Sequence, residues 1–301
     1  MTVEFSWRRG LIFFLAAFAV RAVFLAQWAH LPYTGALCAD AWTNNHWALE
    51  ILDGSLLRHT AFYQSPLYPY FLAAFYKVFG RDPHNVLWAQ ALMDSCTCVL
   101  ILRVTERCFG ARAGILAGLF AVLYRPFIFG AGLLTKETFV LFWAAFFMLL
   151  VLRAGTSGRA RDHFFWGLAA GCCVLLRTNM ALLVPAALVW LWLARTPTCD
   201  TRFACRIPRQ DVWKYAARVK LPMLLGLTLA ILPATIHNFA ASRDLVLVNY
   251  TGGFTFFLGN NPEATGLETY PFGVSSDPLL EESQSTRLAE AGAGRALKPS
   301  E

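Results

Sequence analysis

Apolar residues along this chain fall into near-continuous blocks and not into one-faced stripes. Seven blocks stand out: Gly10–Trp28, Val86–Val104, Ala113–Phe129, Thr138–Leu152, Phe164–Leu176, Met180–Leu193 and Leu221–Ile236. A helix that is apolar all round belongs in lipid or deep inside a large core. The pattern predicts an all-α, multi-pass membrane helical bundle of about seven transmembrane helices. Several blocks are shorter than the roughly 20 residues that a hydrocarbon layer asks for. Arg8 and Arg9 precede the first block as they would in a signal peptide. No small-residue cleavage site follows, however, and Arg21 interrupts the run, so it reads as a retained anchor.

Between the first two blocks, residues 30–85 show a different pattern. Asp40–Leu52 reads as an amphipathic helix, with Trp42, Ala48, Ile51 and Leu52 apolar and Asn44, Asn45 and Glu50 polar. Pro66–Gly80 is too short to span and too aromatic for open water. Both stretches suit the membrane interface, so two interfacial helices are expected in this first external loop. After the last block, Gly252-Gly253 and Gly259-Asn260-Asn261-Pro262 punctuate an aromatic segment and predict a structured external loop over 239–273. Residues 274–301 are polar and read as an external, partly helical tail behind one transmembrane domain, 1–273.

Composition removes the soluble alternatives. The 301 residues are 57% hydrophobic and 15% charged, with mean hydropathy +0.47; soluble domains carry about 25% charged residues. The net charge of +7 is a topology signal. Basic residues concentrate in the segments around Arg8, Arg103–Arg112, Arg153–Arg161 and Arg195–Lys220, which the positive-inside rule assigns to the cytoplasm. Residues 164–193 must then form a hairpin with Arg177-Thr178-Asn179 at its tip, because a single crossing would place one basic loop outside. The N-terminus falls on the cytoplasmic side of the cell membrane and the C-terminus outside. Basic loops beside anionic membrane lipid account for the charge, so no nucleic-acid partner is implied. Among the eight cysteines, Cys96/Cys98 and Cys172/Cys173 lack metal-site spacing and read as small packing residues.

Three acidic residues could carry chemistry. Asp40 opens the first outer helix, where the macrodipole favours a carboxylate. Glu137 lies in a short external turn, Leu133–Thr138. Asp94 lies inside the second block, with Arg21 as the preferred buried partner. Ionisable residues near a bilayer are costly and therefore functional suspects.

These residues carry a resemblance. The chain resembles GT-C superfamily membrane glycosyltransferases, and within them the dolichyl-phosphate-mannose–protein mannosyltransferases (family 39) and the aminoarabinose transferases. The matching elements are Asp40, Gln64-Ser-Pro-Leu-Tyr68-Pro, Trp88-Ala-Gln90, Leu176-Arg177-Thr-Asn179, Ile231–Asn238 and Gly252–Pro262. The resemblance implies transfer of a sugar from a polyprenyl-phosphate carrier to an acceptor protein or glycolipid on the outer face, with inversion. It implies Asp40 as general base and Glu137 as the second catalytic carboxylate. Lys136 and Arg177 become phosphate partners, with Gln64, Tyr68, Asn260 and Asn261 as further substrate-binding residues. No cofactor or tightly held metal is expected; a loosely bound divalent cation stays open. Two departures stand out. His237 occupies a position where relatives often carry Arg. The Gly-Arg-x-Leu-x-Pro-Ser-Glu301 run, which continues into further helices in relatives, is the last of the sequence, so the N-terminal part of an enzyme is expected, either truncated or split and working with a C-terminal partner chain, with a non-catalytic remnant as one alternative. A transporter or flippase is the rival class, motivated by Arg21 and Asp94.

Overall fold

The computed structural model describes residues 6–31, 36–157, 159–193, 212–266, 270 and 273–301, with the side chains of 191–193, 212–219 and 278–279 excepted. The described chain is helical and contains no strand. In order the elements are α1 (Trp7–Trp28), α2 (Asp40–Leu52), α3 (Leu67–Phe79), α4 (Pro83–Phe109), α5 (Ala111–Leu123) and α6 (Arg125–Ala131). There follow α7 (Glu137–Ser157), α8 (Ala160–Leu176), a 3-10 turn (Thr178–Leu182), α9 (Leu183–Leu193), α10 (Val212–Ser242), α11 (Gly252–Asn260) and α12 (Pro278–Ala293). All seven apolar blocks are helical. Four described helices are long and apolar enough to cross a membrane: α1, α4, α7 and residues Lys220–Ser242 of α10. A fifth span exists if α5 and α6, bent by 50°, are one crossing. The expected count of seven is thus supported by length for four or five, since α8 has only 17 residues and α9 only 11.

The chain divides into two compact units, residues 1–36 with 82–231, and residues 37–81 with 232–301. In the first, α4 starts on a cap written in the sequence. The Asp82 carboxylate accepts the His84 N–H at 2.9 Å, and Pro83 occupies the first helical position, where its missing N–H costs nothing. That cap hydrogen bond holds the Asp82 carboxyl below its ordinary pKa. At its far end α4 is stopped by Gly110 at φ +94°, a conformation that suits glycine.

Arg21 explains how α1, α4 and α5 are joined. Pro126 has no N–H to offer the Val122 carbonyl, and the helix breaks at Tyr124 (ψ 109°), leaving carbonyls at the end of α5 short of helical donors. Arg21 reaches across and donates to Val122 O at 2.5 Å and Ala121 O at 3.1 Å. Its Nε donates to Asp94 at 2.7 Å. Both charges are sealed from solvent, at 0% and 1% exposure. The pairing expected from the sequence is therefore present, and it ties α1, α4 and α5 together.

A second cluster joins α7 to α10 around Phe147, Trp166, Cys173, Ala187 and Met223. Ala187 of α9 belongs to the same cluster as Trp166 and Ala170 of α8, and between the two helices Arg177 is extended. Helices α8 and α10 touch through small residues spaced by four. A Cβ on Gly167 would lie 2.0 Å from Met223 O, and one on Gly226 would lie 2.2 Å from Phe164 O. Small-xxx-small faces permit such backbone approach in membrane bundles, where packing takes over from hydrophobic driving force. Leu11, Ile12 and Leu15 of α1, Leu116 and Phe120 of α5, and Leu225 and Leu229 of α10 are exposed, as lipid-facing surfaces require.

The second unit is organised by Asn238. Its Oδ1 accepts Phe62 N–H at 2.8 Å, while its Nδ2 donates to Val246 O and Val248 O at 3.0 Å each. His237 stacks on Phe62 at 4.2 Å and sets Nε2 3.2 Å from Thr60 O. Two expectations need correction here. Asn44, placed on the polar face of α2, is buried, and its amide is satisfied by donating to Asp40 O at 2.6 Å. Gly252-Gly253, read as a turn, opens α11, since glycine is tolerated in a first turn and Phe254–Leu258 carry the helix onward. The Asn-Asn-Pro turn reading holds, because Asn261 Oδ1 accepts Glu263 N–H at 2.8 Å. Cys199 and Cys205 lie outside the described residues.

Candidate functional site

Helix α2 begins at Asp40, directly after Ala39, which adopts φ 49° and ψ −128°. For an alanine this backbone is strained, by roughly 1–3 kcal/mol. Asp40 is half-buried in the first turn of this helix. Further along one face of the same helix, Trp42, Thr43, His46, Trp47 and Glu50 line a cleft of about 220 Å³. Arg58, Tyr63 and Gln64 from the following segment, and Glu282 from α12, complete the lining.

Each wall is held by its neighbours. Trp42 stacks on His46 at 4.7 Å between ring centres. The Arg58 guanidinium lies 4.3 Å above the Trp47 ring and 3.2 Å from Glu50. Helix α12 is clamped by tyrosines: Tyr63 donates to Glu281 at 2.8 Å, and Tyr250 donates to Glu282. Burial first, and then the adjacent carboxylates, push both tyrosine hydroxyls above their ordinary range, so both remain donors at neutral pH. The polar tail is thus built into this unit through the very acids that made it look uninformative.

In the first unit, Glu137 opens α7 and meets Arg177 at 3.1 Å, with both side chains nearly half exposed. Lys136 precedes it and is half-buried, its carbonyl accepting Val140 N–H. Two residues nominated from sequence as substrate partners serve a helix end: Asn260 donates to Phe256 O, and Asn261 to Phe257 O and Leu258 O. Tyr68 is fully buried beside Phe71, in the core of its unit. Gln64 does line the cleft. Sequence reasoning missed Trp42, Arg58 and Glu282; the available signal was an aromatic and acidic face on α2 at helical spacing. Among the described residues, no group of three or more His, Cys, Asp or Glu is arranged to hold a metal.

These elements describe a helical membrane protein with long apolar helices and a smaller unit carrying a carboxylate-headed helix and an aromatic cleft. Residues 63–208 match the family model described as dolichyl-phosphate-mannose-protein mannosyltransferase, just under half of the 301 residues. Over that region the chain is mannosyltransferase-like, and it is similar to membrane glycosyltransferases of the GT-C type. No curated protein and no solved structure matches it.

Proposed function

We infer that this protein transfers a sugar from a polyprenyl-phosphate carrier to an acceptor hydroxyl on the outer face of the cell membrane, with Asp40 as general base. The family match carries the reading. The position of Asp40 at the head of α2 supports its assigned role. In the step proposed, the acceptor oxygen attacks the anomeric carbon while the bond from that carbon to the carrier phosphate breaks. The acceptor proton passes to Asp40, and the electron pair leaves with the phosphate, so the anomeric centre inverts. The phosphate then needs positive charge and donors, roles given to Arg177 and Lys136. Glu137, paired with Arg177, acts by positioning that guanidinium. The family description names a protein as acceptor; a protein or a glycolipid would serve the same chemistry.

The deciding experiment is sugar transfer from a polyprenyl-phosphate donor in proteoliposomes, comparing the wild-type chain with Asp40→Asn. Loss of a general base costs about 10²–10⁴-fold, so transfer by the variant falls at least a hundredfold. A variant that transfers at the wild-type rate removes Asp40 from the mechanism.

A further inference from the structure

We propose that the cleft lined by α2 and α12 binds a neutral sugar ring belonging to the acceptor. The proposal rests on the transferase reading and narrows it: the acceptor already carries a pyranose.

The lining has two kinds of surface. Trp42, held against His46, offers an aromatic face. Thr43, Gln64, Glu50 and Glu282 supply hydroxyl, amide and carboxylate groups around it. A pyranose matches this combination, with C–H groups that lie against an electron-rich ring face and a rim of hydroxyls that both donate and accept. At about 220 Å³ the cleft is smaller than the roughly 300–1,000 Å³ of pockets for drug-sized ligands, which suits one ring.

Charge separates acceptor from donor. A donor sugar brings a phosphate on its anomeric carbon, which would approach the Glu50 and Glu282 carboxylates. Arg58, over the Trp47 ring and beside Glu50, balances one of the two carboxylates and leaves the acidic side in excess. The lining therefore disfavours an anion and accepts a neutral polyol. The position fits as well. At about 1.5 Å rise per residue, Trp42 and Thr43 of the lining lie within one turn of Asp40 along α2.

The test is saturation-transfer NMR on the full chain in nanodiscs with a panel of methyl pyranosides, for wild type, Trp42→Ala and Trp42→Phe. Wild type should bind one or more of them. Trp42→Ala should weaken binding about tenfold, a loss of one stacking contact, while Trp42→Phe retains it and controls for folding. The same ring on a glycopeptide or on a glycolipid identifies the carrier, and binding of either supports the cleft. A silent panel, an unaffected Trp42→Ala, or binding only of a phosphorylated sugar or an unglycosylated Ser/Thr peptide overturns it. The two readings fail separately. Binding lost in Trp42→Ala, with no transfer from a polyprenyl-phosphate donor, keeps the cleft and removes the transferase. Transfer that depends on Asp40 with an acceptor KM unmoved by Trp42→Ala does the reverse.

Discussion

Two ion pairs in the same helical unit show how differently a membrane protein can use charge. Arg21 and Asp94 are sealed from solvent, and two freed carbonyls of α5 take further donors of the guanidinium. Glu137 and Arg177 are nearly half exposed, and one contact joins them. A buried pair with every contact local holds helices in register. A half-exposed pair contributes only about 0–1 kcal/mol, so a phosphate could compete with Glu137 for Arg177 at small cost. Burial, more than charge, separates the two roles.

The largest effect should come from opening the sealed pair. Asp94→Leu leaves Arg21 buried without its carboxylate, and breaking such a pair costs about 3–5 kcal/mol. Thermal unfolding in detergent should show a midpoint far below that of wild type. Arg21→Met combined with Asp94→Leu should recover part of the loss but not all, because the Ala121 and Val122 carbonyls then lack their donor. A single variant as stable as wild type would show that water reaches this pair and that the contrast between the two pairs is false.

Next in size is a contact with no charge at all. Gly167→Ala sets a Cβ 2.0 Å from Met223 O and should cost about 1–3 kcal/mol as an overpacked core site. Gly130→Ala, with nothing within 4 Å of its added Cβ, is the matched control and should unfold close to wild type. Equal midpoints for the two would mean that α8 and α10 leave room for a side chain between their backbones.

Much of this was legible from the sequence. The continuous apolar blocks marked the helices, and Arg21 and Asp94 stood out because lone charges in such blocks need partners. Asp40 could be placed at a helix start by its position ahead of an amphipathic run. What the sequence hid was contact at long range. Glu137 and Arg177 lie 40 positions apart, and no local pattern joins them. Glu282 reaches the cleft from a tail whose polar composition resembles solvent-facing filler. The Gly252-Gly253 segment misled for another reason: glycine marks turns by preference, yet a following aromatic run with helical contacts overrides that preference.

The smallest effect on stability should carry the sharpest functional signal. Arg177→Gln and Glu137→Gln should each shift the unfolding free energy by less than about 1 kcal/mol, as exposed pairs do, and raising salt should narrow even that difference. If Arg177 serves the carrier phosphate, Arg177→Gln raises the KM for the donor about tenfold, the loss of one charged hydrogen bond. Glu137→Gln keeps the guanidinium and its charge, so it should lose less, and the loss should appear in kcat as a less well-aimed Arg177. The acceptor KM should not move in either variant. Equal losses in both variants would instead give Glu137 a direct part in the chemistry. A stability loss comparable to Asp94→Leu would make the exposed pair a structural tie after all.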